Sequence, residues 1–421
     1  MQQPLRFSLS LAGLALVILG TGRLHADNPD WPQFRGPQRD GKSTETGLLK
    51  SWPVGGPKLE WTARGLGGGY ASVAIAGDLI VTAGDRGEAN YVEALRRSDG
   101  KPVWYAQLGK SGAPGWGGFA GPRCTPTVAG DLVFAIGQFG EFACFEAKSG
   151  KELWRKHLVA DFGGSLPLWG FSESPLVDGE NVVCTPGGAQ GAIAALNQRT
   201  GAVVWRCQEF QDAAAYSSLV PTVLGGVRQY VQLTHANVVG VSARDGKLLW
   251  QAPRQEKTAV ITTPVVQGDL VYVTSFYGKG CNLFKVTKSG DAFGAEEVYG
   301  NKVMANHHGG VIALGNYVFG YSDGRGWICQ ELSTGKPVWE EKGRLGKGAL
   351  VFADGCFYLR QEDKSGPIAL IEASAQGYVE LGRFDPPDRS DKNAWAHPVI
   401  AGGRLYLRDQ DVLLCYRVKN S

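Results

Sequence analysis

Residues able to bind or move charge stand repeatedly just ahead of short apolar runs. Arg123 precedes CTPTV, Glu173 precedes SPLV, Ser217 and Ser218 precede LVPTV, and Thr262 and Thr263 precede PVV. Asn306, His307 and His308 precede GGVIAL, Lys347 precedes GALVF, and Trp395 and His397 precede PVI. Tyr70 and Ser72 hold the same place before VAI, and Trp169 lies shortly ahead of Glu173. Arg123 and Lys347 suit carboxylates, the guanidinium bidentately. Trp169 and Trp395 offer faces that stack on a flat ring. Ser218, Thr263 and Asn306 complete the polar ring expected to bind a ligand. Glu173 or Asp323, aided by an imidazole, would be the general base of any catalytic step. No metal is expected, because His307 and His308, adjacent on a strand, point to opposite faces. The Gly-rich stretches at 65–70 and 114–122 lack the strand-to-helix setting and the Lys-Ser/Thr ending of a phosphate loop. They read as loops over the same region, with Trp116 and Phe119 placed to cover a ligand.

Residues so far apart form a site only if the fold gathers them, and a repeat does this. ALRRSDGKPVW (94–104), CFEAKSGKELW (144–154), ALNQRTGAVVW (195–205), GVSARDGKLLW (240–250) and CQELSTGKPVW (329–339) are one phrase: a small residue, a turn closed by Gly, then Trp. Ahead of each phrase a tight turn splits an apolar run into two strands. These turns fall at Gly77-Asp78, Gly130-Asp131, Asp178-Gly179, Gly225-Gly226, Gly268-Asp269, Leu314-Gly315, Asp354-Gly355 and Gly402-Gly403. A period of roughly 45–50 residues built from short strands means a propeller or solenoid. The spacing predicts an all-β, eight-bladed β-propeller with four antiparallel strands per blade and tryptophan docking between blades. Units five and seven lack the Trp, and unit eight ends at Val418, one strand short. PKLEW, ending at Trp61, is expected to supply that strand and close the ring. The first strand of each blade lines the axis, so the residues ahead of it converge on one mouth of the channel. Loops between strands two and three add Asp85, His235, Tyr277, Asp323, Arg325 and Asp409. The mouth is then a binding pocket or a network of polar groups bonded to one another and to water.

The phrase resembles the tryptophan-docking repeat of the PQQ-like (quinoprotein-type) propellers. These include pyrroloquinoline-quinone dehydrogenases and the BamB-type factors of outer-membrane assembly. WPQFRGPQRDG (31–41) resembles the opening of exported PQQ-like repeat proteins of the planctomycete type, as do WGFSESPLVDG, NHHGG and HPVIAGGRLYLRDQD. The resemblance implies a binding scaffold or, alternatively, an oxidoreductase acting on an alcohol or sugar hydroxyl with PQQ and Ca²⁺. The scaffold is favoured. The adjacent cysteines of those enzymes are missing, no segment maps onto their Ca²⁺ ligands, and there is no C-x-x-C-H haem motif.

Residues 1–26 read as a signal peptide: Arg6, an apolar stretch near 9–19 too short to span a membrane, and a cleavage site after Ala26. The first Cys is Cys124, so no lipid-anchoring Cys follows that stretch. A periplasmic or secreted monomer is expected, with an uncleaved anchor as the alternative reading of residues 1–26, 27–56 an extension wrapping the propeller surface and 57–421 the propeller. Eight cysteines would allow many disulfides, but Cys144, Cys329 and Cys415 fill the small-residue position, leaving room for one or two bridges at most. A net charge of +3 with mixed signs excludes a nucleic-acid partner. The expected partner is a small anionic or hydroxylated ligand or a periplasmic protein.

Overall fold

The computed structural model describes residues 29–115, 119–363 and 366–420, so the signal segment and Trp116 lie outside the described residues. The chain forms eight antiparallel sheets, each of four consecutive strands except where the N-terminal segment joins in. Each blade opens on an inner strand such as Ala74–Ala76 or Val265–Gln267 and ends on an outer strand such as Pro102–Lys110. Lys58–Arg64 pairs antiparallel with Val412–Arg417 as the outer strand of the eighth blade, with Trp61 inside it rather than at its end. Lys42–Ser43 adds a parallel fifth strand to the seventh blade, beside Phe352 and Ala353.

The hairpin turns explain why the blades begin where they do. Gly77, Gly130, Gly179, Gly225, Gly268, Gly315 and Gly402 occupy the first turn position with positive φ, and Asp354 does so at 48°. That conformation matches the twist of the strands and is cheap only for Gly. It also corrects two sequence assignments. The third and sixth turns are Gly179-Glu180 and Gly315-Asn316, one residue later than expected, since Asp178 and Leu314 are still paired strand residues.

The repeated tryptophans join blade to blade. Trp104 Nε1 donates to Ala147 O at 2.8 Å, Trp154 to Gln198 O at 2.9 Å, Trp205 to Ala243 O at 3.3 Å and Trp339 to Ser374 O at 3.0 Å. Each ring of the first three lies on the next blade's turn glycine, where a Cβ on Gly150 would sit 2.5 Å from Trp104. Trp250 departs from this rule: its Nε1 donates to Gln229 Oε1 within its own blade at 2.6 Å. The blade it should dock on has a long outer hairpin, Gly280–Ser289 with Ala292–Asn301, whose Gly290 stands clear of every neighbour. That blade lacks a Trp, and Tyr299 does the docking, its hydroxyl donating to Leu332 O at 2.8 Å against Gly335. In the seventh blade Trp52 of the extension packs on Gly382 and on Phe384, ring centroids 5.3 Å apart.

All eight cysteines are buried free thiols, so even the one or two bridges allowed from sequence do not form. They serve as small apolar fillers of the blade cores.

Candidate functional site: an aromatic channel mouth

The segments ahead of the inner strands converge, and the structure divides them into two layers. The lower layer is a closed belt of hydrogen bonds. Ser72 Oγ donates to His397 O at 2.7 Å, and Ser72 N to Thr125 Oγ1 at 3.1 Å. Thr125 N donates to Ser174 Oγ and Ser174 N to Ser218 Oγ, both at 3.0 Å. Ser217 Oγ donates to Thr262 O at 3.3 Å, and Thr262 Oγ1 to Asn306 Oδ1 at 3.0 Å. His397 Nε2 donates to His308 O at 2.9 Å and shuts the circle. Buried hydroxyls satisfied in this way hold blades in register.

The upper layer is a cavity of about 210 Å³. Phe34, Tyr70, Phe119, Trp169, Tyr216, Tyr277 and Trp395 line it, with His307, His308 and His397, and the polar contribution is Arg123 and a few hydroxyls. The rings form a continuous wall. Tyr70 meets Trp395 at 4.5 Å, Trp395 stacks on His308 at 4.3 Å, His308 meets His307 at 3.6 Å, and His307 meets Tyr277 at 5.2 Å. The two adjacent imidazoles therefore share one wall instead of pointing to opposite faces, because they precede the strand that begins at Val311 and do not lie on it. Trp169 and Tyr216, 5.7 Å apart, also border a second cavity of about 270 Å³ that reaches His235 and Lys257. Tyr277 holds a φ of 52°. A bulky residue in the left-handed region costs energy, and such strain concentrates at functional sites.

Arg123 stands in this wall 5.4 Å from the centre of the Tyr70 ring. Its guanidinium donates to Gly121 O at 2.9 Å and Phe119 O at 2.7 Å. Among the described residues no carboxylate lies within ion-pair distance of it. The imidazoles are neutral. Burial, then the His308 ring, depresses the His307 pKa to about 2, and burial, then Arg35, depresses that of His397 to about 3. Burial, then Lys347, pushes His308 well below its ordinary range. Lys347 Nζ stands 2.6 Å from His307 Nδ1, which makes that nitrogen an acceptor and leaves the proton on Nε2.

Several residues proposed from sequence fall elsewhere. Glu173 does not face the cavity. It is fully buried and accepts from Thr185 N at 2.6 Å, Thr185 Oγ1 at 3.1 Å, Gln232 Nε2 at 3.1 Å and Leu219 N at 3.3 Å. Burial raises its pKa to about 7, but the carboxyl is turned to these donors and is absent from the cavity lining. Asp323 pairs with Lys347 at 3.3 Å, as does Glu362 at 3.7 Å, so neither the base nor the second cation is free. Thr263 and Asn306 are buried outside the cavity lining, while Ser218 and Trp169 line it. Asp85 is held by Gln138, Asp409 by Ser390, and Arg325 by Glu340. Sequence reasoning missed Tyr216, Phe34 and Glu362. Tyr216 had a signal: Tyr70, Tyr216 and Trp395 each stand two residues before a residue of the belt, Ser72, Ser218 and His397.

Fold and repeat together define a PQQ-like eight-bladed propeller. The family model described as outer membrane protein assembly factor BamB matches residues 88–341, and the chain belongs to that family. BamB of Burkholderia pseudomallei is 25% identical over 204 residues, covering 48% of this chain and 48% of that protein. BamB of Salmonella typhimurium is 25% identical over 267 residues, covering 52% and 65%. The chain thus spans about half to two thirds of these curated relatives. Among solved structures, BamB from Moraxella catarrhalis has a TM-score of 0.62 at 14% identity, covering 86% of this chain and 98% of that one. The quinohemoprotein alcohol dehydrogenase of Comamonas testosteroni has 0.63 at 11%, covering 93% and 81%. At these identities the likeness is one of fold.

The dehydrogenase fold raises the question of PQQ and Ca²⁺. A tricyclic tricarboxylate needs several cations and more room than this cavity, which offers Arg123 alone. Ca²⁺ needs a cage of oxygen ligands. No group of His, Cys, Asp or Glu with metal-binding geometry occurs among the described residues. The residues present do not fit that pair.

Proposed function

We propose that this chain is an exported, non-catalytic binding scaffold that takes an anionic planar group into its channel mouth. The group is carried by a small molecule or presented by an envelope protein, the latter in keeping with the assembly-factor names of its relatives. One observation carries the reading: Arg123 is an unpaired cation in a wall of aromatic rings and neutral imidazoles, with every nearby carboxylate already engaged. Such a surface binds a flat anion and offers no free carboxylate as a base for turnover. Apolar walls with a few convergent polar groups are the usual form of a ligand site.

Benzoate is the simplest probe, followed by intrinsic tryptophan fluorescence, since Trp395 and Trp169 line the cavity. Binding should weaken roughly tenfold or more in Arg123→Gln, the range of a charge-assisted hydrogen bond. The melting temperature should stay close to that of the wild type, because Arg123 bonds only two loop carbonyls. Tight binding of PQQ with Ca²⁺, together with dye reduction by an alcohol, would instead establish the oxidoreductase alternative.

A further inference from the structure

The motif WPQFRGPQRDG has no place in the blades, and the structure shows where it goes. Residues 31–43 do not wrap the surface; they enter the channel. Trp31 exchanges two backbone hydrogen bonds of 2.8 Å with Ile75 of the first blade, and Pro32 O accepts from Val128 N of the second at 2.8 Å. Arg39 donates to Ser174 O at 2.7 Å and Pro175 O at 3.0 Å, in the third blade. Arg35 donates to Val311 O of the sixth blade at 2.5 Å, and Gly41 O accepts from Phe352 N of the seventh at 2.9 Å. The segment therefore crosses the axis from blades one and two to blades six and seven.

It makes this crossing as a chain of tight turns. Gly36 N donates to Gln33 O at 3.0 Å, Arg39 N to Gly36 O at 3.0 Å, and Gly41 N to Arg35 O at 2.9 Å. Arg35 and Arg39 hold φ of 62° and 56°, a conformation that L-residues avoid unless the surroundings enforce it. Between these anchors Phe34 reaches the cavity lining and meets His397 edge-on at 5.2 Å. Both arginines are buried without an ion-paired carboxylate, and Arg35 Nη1 meets no acceptor among the described residues. A Cβ on Gly310 would collide with that nitrogen.

From this geometry we infer that residues 31–41 are a built-in plug, that Phe34 is the floor of the mouth, and that the blind cavity takes single-ring planar monoanions. The inference rests on the binding function proposed above and adds its size and charge limits. A cavity of about 150 Å³ suffices for benzene. The volume here, about 210 Å³, holds one ring with a small substituent. Charge selectivity follows from Arg123 in the wall and from Arg35 and Arg39 beneath the floor. Asp40 partly offsets Arg35 and Glu173 partly offsets Arg39.

The test compares benzoate, the neutral benzamide and the two-ring 2-naphthoate on wild type and Phe34→Ala. Wild type should prefer benzoate to 2-naphthoate, and to benzamide, by roughly tenfold or more, the range over which a pocket discriminates on one missing group. Phe34→Ala deepens the cavity and should bring 2-naphthoate level with benzoate while keeping the preference over benzamide. Thermal melting shows whether the variant is folded; if it is not, Phe34→Leu should shift the same ratio in the same direction by less. A folded Phe34 variant with an unchanged size ratio overturns the floor, and equal wild-type affinity for benzoate and benzamide overturns the charge selection. Failure of wild type and variants to bind any of the three sinks the binding function itself.

Discussion

The imidazoles of the mouth make a prediction at the scale of single residues. His397 is buried, and Arg35, its second perturber, disfavours a second positive charge beside it. Its pKa is about 3 in the folded protein against an ordinary 6.5. The unfolded chain therefore binds the extra proton between those values. This residue's contribution to stability is full above pH 6.5 and is lost as pH falls toward 3. Glu173, raised to about 7 by burial, acts in the opposite sense between pH 7 and 4.5, so the total stability curve is a poor readout. The difference between wild type and His397→Gln isolates the effect. Below pH 6.5 it should move in the variant's favour by up to about 1.4 kcal/mol per pH unit. Urea unfolding at pH 7 and pH 5 measures it, and a difference independent of pH would show that His397 has the same pKa in the folded and the unfolded chain. Much of this site was legible from position. The register before each inner strand located Arg123, Ser218, His307, His308, Trp395 and His397 in one mouth. What register does not tell is whether a side chain faces the cavity or its neighbour. Glu173 and Lys347 share the register but turn to Thr185 and to Asp323 and Glu362.

At the scale of elements, the joint between blades is a ring laid on a glycine. Gly150→Ala places a Cβ 2.5 Å from the Trp104 ring and at a φ of 71°. Gly290→Ala meets no atom within 4 Å at a φ of 60° and serves as the control for backbone strain alone. The control should cost about 1–2 kcal/mol, the left-handed penalty. Gly150→Ala should cost clearly more, and Trp104→Ala about 3–5 kcal/mol, as for a large ring removed from a core. Equal costs for the two glycine variants would mean that the rings are not what joins the blades. The blade count and the strand order could be read from sequence because hairpin turns and Gly–Trp spacing repeat. Tyr299 and Trp52 could not be found that way. Tyr299 stands in for the ring within its own blade, and Trp52 stands in from outside the repeat, so neither follows the phrase.

At the scale of the whole molecule, the N-terminal region has two separable tasks. Lys58–Arg64 closes the ring: it covers Val412–Arg417 and lays Trp61 on Gly100 of the first blade. Residues 31–56 plug the channel and strap its outside. Glu45 accepts from Gly402 N at 2.8 Å and Gly403 N at 2.5 Å, and Leu49 N donates to Val418 O at 2.7 Å. The two tasks fail differently. A chain starting at Pro57 keeps the closing strand but strands the carbonyls of Ser174, Pro175 and Val311 without their arginine donors. It also removes the buried Trp31 and Trp52 rings. It should melt well below the full chain yet run as a single species on size exclusion. A chain starting at Gly65 loses the closing strand as well. The eighth blade then presents the backbone of Val412–Arg417 as an open edge. Unpaired edges of apolar strands recruit other chains. This second truncation should elute as oligomers or aggregate, and restoring Lys58–Arg64 at the C-terminus after Val418 through a short flexible linker should return it to a single species. A Gly65 truncation that stays monodisperse, with the melting temperature of the Pro57 chain, would mean that the ring does not depend on its N-terminal strand.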